Sequence, residues 1–200
     1  MVSIWRGSGL AVVLGLIMVA HAAAQKLEIK TEKDPGADFT AIRTYAWLPP
    51  APMVSHVAPD AVTNPTLSQD ALGPHIMAAV TRELVARGLT EAPPDVADIH
   101  VGYAASLTVG FNRTYLGEYY GYVTGWASPI LPGHAPSTSA TIAEKGTVLV
   151  DIVDRASNRA IWRGSVVTRI QHERTLEDRI ARINEGAARL FKQFPLRPRK

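Results

Sequence analysis

The residues best suited to recognition chemistry are a run of rings. Tyr115, Tyr119, Tyr120, Tyr122 and Trp126 are interleaved with Gly117, Gly121 and Gly125. Each ring offers a broad flat surface, a polar handle and few torsions to freeze. Such surfaces stack on sugars or grip a protein partner, and exposed loops carry binding more often than cores do. A loosely packed loop with no ligand has the same composition, and sequence leaves both readings open. Arg163 is the second candidate. Its planar fork suits a carboxylate or phosphate. Equally, it can pair with Asp151 on the neighbouring strand or lie over an aromatic ring. These six residues, Tyr115, Tyr119, Tyr120, Tyr122, Trp126 and Arg163, form the expected ligand-binding set.

Other chemistries have less to work with. His56, His75, His100, His134 and His172 show no i, i+4 or H-x-H spacing. Nothing in the sequence therefore makes metal ligands converge, and neither a metal nor a cofactor is expected. The chain has no cysteine, which excludes thiol catalysis, disulfides and cysteine-based zinc sites. Ser165 follows Gly164 but lacks a G-x-S-x-G elbow. Asp151 and Asp154 fall at a hairpin end, which supplies neither the cleft nor the separation of a glycosidase acid pair. No catalytic residue is expected. A non-enzymatic binding or structural module is the leading reading. A cell-wall-directed hydrolase, or an accessory subunit of an envelope complex, is the alternative.

The N-terminal residues place that module. Arg6, the apolar run Leu10 to Ala20 and Ala22-Ala23-Ala24 make a positive start, a short h-region and a small-x-small cleavage site. Residues 1–24 thus read as a secretory signal peptide, with 25–200 as a single domain. The apolar run falls short of the roughly 20 residues that span a bilayer. The expectation is an exported, periplasmic protein, peripheral to the outer membrane and without a transmembrane segment once the signal is removed. Its expected partner is an envelope protein or a glycan. A formal net charge of +3 without a basic stripe argues against nucleic acid. The basic end Arg197-Pro198-Arg199-Lys200 reads as a solvated terminus, with contact to anionic lipid as its sharper alternative.

The elements that must position the candidates are legible from periodicity. Leu27 and Ile29 alternate with polar neighbours, which suggests a first strand. Phe39 and Ile42 predict a helical turn, and Thr44 to Leu48 a second strand. Residues 49–69 hold five prolines and read as a loop. An apolar stripe through Ile76, Val80 and Leu84 predicts a helix over 73–87, closed by Gly88 at the C′ position. Strict alternation from Ile99 to Val109 predicts a strand with one buried face and one wet or lightly covered face. Residues 110–140 read as an extended Gly/Tyr-rich loop or ragged hairpin.

Gly146 to Asp154 predicts a central strand, turning at Arg155 to Asn158 into a partner strand over Arg159 to Ile170. Ala160, Trp162, Gly164, Val166, Thr168 and Ile170 form its expected inner face, and Ile161, Arg163 and Ser165 point outward. Trp47 and Trp162 read as core residues. Thr175 begins a final helix whose stripe is Leu176, Ile180, Ile183, Ala187, Leu190 and Phe194, with Arg179 and Arg182 on the wet side. With no βαβ rhythm, the expected fold is an α+β two-layer sandwich: an antiparallel sheet of about five strands with two amphipathic helices on one face.

Three of these segments together resemble a known family. They are FTAIRTYAW (Phe39 to Trp47), DIHVGY (Asp98 to Tyr103) and GTVLVDIVDRASNRAIWRG (Gly146 to Gly164). The chain resembles domain-of-unknown-function family 4136 over roughly residues 26 to 194. These are bacterial envelope proteins, many of them lipoproteins. The resemblance implies a periplasmic or outer-membrane-associated domain in a Gram-negative bacterium. It brings no activity and no site residues. The absence of a lipobox cysteine departs from the lipoprotein members and favours a free periplasmic protein.

Overall fold

The computed structural model describes residues 27–55, 65–107, 115–126, 145–171 and 173–196. The expected signal peptide, His56, His134, His172, most of 110–140 and the basic end lie outside the described residues. Among the described residues, eight strands build one sheet: β1 (Glu28–Lys33), β2 (Thr44–Trp47), β3 (Val54–Ser55), β4 (Thr90–Glu91), β5 (Ile99–Leu107), β6 (Val123–Thr124), β7 (Lys145–Asp154) and β8 (Arg159–Arg169). Three α-helices among the same residues accompany them: α1 (Gln69–Val85), α2 (Tyr115–Tyr120) and α3 (Leu176–Phe191). The fold is α+β, as expected.

The sheet departs from the antiparallel expectation. Its main path runs β1-β8-β7-β5-β2-β4, with β3 also on β5 and β6 also on β8. The three long pairings, β1 with β8, β8 with β7 and β7 with β5, are antiparallel. β2, β3, β4 and β6 all join by parallel pairing, so the sheet is mixed. The reason is connectivity. α1 lies between β2 and β5 in the chain, and a helical crossover returns the chain in the same direction. The predicted lack of any βαβ unit was therefore wrong at this one place.

Local signals explain the helix ends. α1 begins four residues before the expected Gly73. Ser68 is its N-cap and accepts from the Ala71 amide at 3.1 Å, and Pro74 sits inside the helix. The cap satisfies an orphan donor that a mid-turn proline cannot. At the other end Gly88 has φ 80°. The Gly88 amide bonds Val85 O and the Leu89 amide bonds Leu84 O, the paired closure of a Schellman turn. Thr175 and Asp178 form the capping box of α3. Asn158 takes φ 51° in the β7–β8 turn, as its type allows.

α1 and α3 cover one face of the sheet. Ile76, Val80 and Leu84 meet Leu190, Phe191, Val101 and Ile152 in the main core. Trp162 packs against Phe191 and Phe194, with ring centroids 5.5 and 5.1 Å apart. Gly164 makes this approach feasible, because an added Cβ would stand 2.6 Å from Leu190 Cδ1 and 2.5 Å from Trp162. The opposite face, expected to be wet or lightly covered, is buried too. Leu116 of α2 and Tyr122 pack with Ala51, Ala104, Leu149 and Val153 in a second cluster. Segment 115–126 is thus a packed flap rather than an extended loop. A β-bulge at Ile152/Val153 changes the expected facing of β8: Trp162 pairs with Ile152, but Ala160 pairs with Val153. The extra residue sends Ile161 to the helix side and Ala160 to the flap side.

Candidate functional site

Two sites emerge, one on each face. The first centres on the predicted Arg163. β7 and β8 place Asp151 directly opposite Arg163, and both side chains are wholly out of water. Arg163 Nε donates to Asp151 Oδ1 at 2.7 Å and Nη2 to Oδ2 at 2.6 Å. The Tyr122 hydroxyl donates to the same Oδ2. Burial pushes the Tyr122 phenol far up, and the Asp151 charge adds to the shift. For Arg163, burial works against the charge, but the hydrogen bonds and charge of Asp151 outweigh it and raise the pKa. The guanidinium also lies 6.0 Å from the Trp126 ring centre. Arg163 Nη1 and Trp126 Nε1 are buried with no hydrogen-bond partner among the described residues.

This geometry sorts the expected aromatic set. Tyr122 is 5% exposed, Tyr120 and Trp126 are half-buried, and Tyr119 is 50% exposed. The Tyr120 hydroxyl donates to Pro49 O. Its ring lies so close to the sheet that a Cβ on Gly102 would come within 3.3 Å of it. Tyr115 opens α2. The flap is pinned from beneath by Tyr122 and from the side by Tyr120. Of the expected ligand residues whose side chains are described, Tyr119 presents the most open ring, and the Arg163 fork grips Asp151.

The second site was not anticipated. Between α1, α3 and the sheet lies an apolar cavity of about 130 Å³, walled by Ile76, Val80, Val150, Val166, Ile183 and Leu190. Its polar lining includes Arg169, Gln171, Arg174, Arg179 and Arg182, and no Asp or Glu side chain lines it among the described residues. Arg179, expected on the wet side of α3, is only 7% exposed. Arg179 Nε donates to Thr66 Oγ1 at 3.0 Å and Nη2 to Gln171 O at 2.9 Å. Burial lowers its pKa, and the neighbouring Arg174 charge lowers it further, while Glu173 and Asp178 act the other way. Arg174 donates to the Gln171 side chain, and Arg182 binds Glu185 at 2.9 Å. The missed signal was spacing. Arg179, Ile183, Gly186 and Leu190 step by 4, 3 and 4, the repeat of a buried stripe.

Among the described residues, no group of three or more His, Cys, Asp or Glu side chains could hold a metal ion. No described helix is long and apolar enough to cross a membrane.

No curated protein matches the chain. Three solved structures similar to it are of low identity. A PelC dodecamer from Paraburkholderia phytofirmans aligns at 11% identity and TM-score 0.44, covering 88% of this chain and 100% of that one. A DUF4136 family protein from Bacteroides thetaiotaomicron aligns at 16% identity and TM-score 0.49, over 85% and 96% of the two chains. A PDZ domain protein from Parabacteroides distasonis aligns at 16% identity and TM-score 0.48, over 88% and 38%. The family described as "Domain of unknown function (DUF4136)" matches residues 29–196. That match spans both faces of the sheet and all three helices, and the chain belongs to this family.

Proposed function

We propose that the protein is an exported, non-enzymatic binding module of the bacterial envelope, free in the periplasm, whose ligand enters the cleft between α1, α3 and the sheet. One observation carries this reading: an apolar cavity of about 130 Å³ is open beside a buried arginine in an otherwise close-packed core. A concave, mainly apolar space with a few convergent polar groups is the usual form of a small-molecule site. The groups that could instead do acid–base work on the other face are occupied, since Asp151 is held by Arg163 and Tyr122. The test is uptake of an environment-sensitive apolar dye by the purified full chain, compared with Val166→Trp, which fills the cleft. Saturable uptake lost in the variant is expected. Equal uptake by both would remove the cleft from the account. Recovery of the protein in the osmotic-shock fraction checks export.

The aromatic flap supports a second reading, a docking surface for an envelope protein or a glycan. Tyr119 at 50% and Val123 at 63% exposure are its open apolar groups. The paired change Tyr119→Ala and Val123→Ser should abolish capture of such a partner if the flap docks it, and leave capture unchanged if it does not.

A further inference from the structure

We infer that one water molecule is built into the seam between the flap and the sheet, accepting from Arg163 Nη1 and Trp126 Nε1 and donating to the Glu32 carboxylate. The site lies on the face opposite the cleft and does not depend on the cleft binding anything.

Two buried donors there call for an acceptor. Arg163 carries five N–H donors in a fixed fork. Nε and Nη2 are spent on Asp151. Nη1 has no hydrogen-bond partner among the described residues, although the residue is 0% exposed. Trp126 Nε1, a donor only, is buried in the same condition. Native interiors satisfy nearly all such groups, with protein atoms or with ordered water. The guanidinium carbon lies 6.0 Å from the centre of the Trp126 ring. At that range the ring face is a weak partner for the cation, and two nitrogens sharing one oxygen at about 2.7–3.2 Å each fall within it. The flap's own contacts hold the indole there. The Thr124 hydroxyl donates to Trp126 O at 2.9 Å, and the Gly125 amide to Ala160 O at 2.9 Å. An added Cβ on Gly125 would run into the Asp34 carboxylate, so the end of the flap sits tight against the residues that follow β1.

The third partner comes from β1. Glu32 stands directly opposite Arg163 in the β1–β8 register, and directly opposite residues share a face of the sheet. A carboxylate accepts up to about four hydrogen bonds, so Glu32 can take a water proton beside its other contact. A water so placed makes three hydrogen bonds, the usual number for a buried one. It joins β1, β8 and the flap. Charge argues against the other small occupant. An anion would serve the two donors equally well, but the single guanidinium already faces two carboxylates, Asp151 and Glu32. A further negative charge is repelled, whereas a neutral molecule that both accepts and donates suits all three groups.

The experiment is a pair of water-selective NOE and ROE spectra of the purified full chain. The Trp126 indole proton, assigned by its absence in Trp126→Phe, and the Arg163 Nη1 protons should both show water cross-peaks with the sign of a long-lived molecule. Glu32→Met should weaken both by about twofold or more, since it removes one of three partners. The wild-type spectra need no variant. Cross-peaks at neither proton, or with the sign of fast-exchanging surface water, would overturn the site. Peaks unchanged in Glu32→Met would overturn Glu32 as the acceptor. A Trp126 indole shift that saturates with added chloride would put an anion in the place of water. Exchanging hydroxyls of Tyr122 and Thr124 can imitate such peaks, and relaxation dispersion of the water oxygen nucleus excludes them. Its amplitude should fall in Trp126→Phe; equal amplitude in both chains would overturn Trp126 as a holder.

Discussion

Arg163 and Arg179 are both buried, at 0% and 7% exposure, on opposite faces of one sheet, yet their pKa values move in opposite directions. For both, burial is the largest influence and acts against the charge. At Arg163 a bidentate carboxylate and the Tyr122 hydroxyl outweigh it. At Arg179 a second guanidinium adds to it. The contrast separates two uses of a buried cation. One is consumed by the fold and locks the flap onto the sheet. The other lines an open apolar cavity. Burial alone does not mark a functional arginine; the open space beside Arg179 is what distinguishes it from Arg163.

The largest test of this contrast is Asp151→Asn. It strips Arg163 of its counter-charge in a closed interior, which typically costs about 3–5 kcal/mol, read as a fall in denaturant midpoint. A cost under about 1 kcal/mol would mean that water reaches the pair. Next in size is Tyr122→Phe. It deletes one donor to Asp151 and should cost about 1–3 kcal/mol, with faster hydrogen exchange in 115–126 as the sign that the flap has loosened. Exchange unchanged there would place the flap's anchor elsewhere.

Arg179→Met should cost less than either, under about 1 kcal/mol, because removing a desolvated cation offsets hydrogen bonds such as those to Thr66 and Gln171. A loss as large as that of Asp151→Asn would erase the contrast. The smallest effect is a pH dependence away from both faces. Amides of Arg43 and Thr44 donate to Asp98 Oδ2, each at 2.8 Å. The Arg43 amide bond is the largest cause holding its pKa below the usual carboxylate value, with burial opposing. Its contribution is therefore fully present above about pH 4 and lost as pH falls through the lowered folded value. Asp98→Asn should flatten that acid limb; an identical limb in the variant would assign it to other carboxylates.

Much of this was legible in the chain because the signals are local. Alternation from Ile99, the glycine at 88, the asparagine at 158 and the cap at Thr175 each act within a turn or a strand. The Asp151–Arg163 pair was legible for the same reason, since a tight hairpin fixes its own register. What stayed hidden depends on distant segments. Nothing near β2 shows that a helix will cross over and return β5 parallel to it. The bulge beside Ile161 and Trp162 is silent because both residues are apolar. Arg179 was placed in water on its charge alone, against a spacing that put it on the buried stripe. The cleft draws on Leu27, Ile76, Val150 and Ile183, from four separate stretches of the chain, and no window of sequence holds them together. The flap was read as a loop because its glycines suggested openness. Here they let rings approach the sheet closely, as Tyr120 does at Gly102.

The most direct measurement of the central claim, that the cleft takes up an apolar ligand, is a methyl and amide NMR titration of the protein with the environment-sensitive apolar dye. The account predicts saturable shifts at Val150, Val166, Ile183, Gly186 and Leu190, which line the cleft. Ala104, Leu149 and Tyr122 on the opposite face should stay still. Shifts confined to the flap, or none at any concentration, would contradict it.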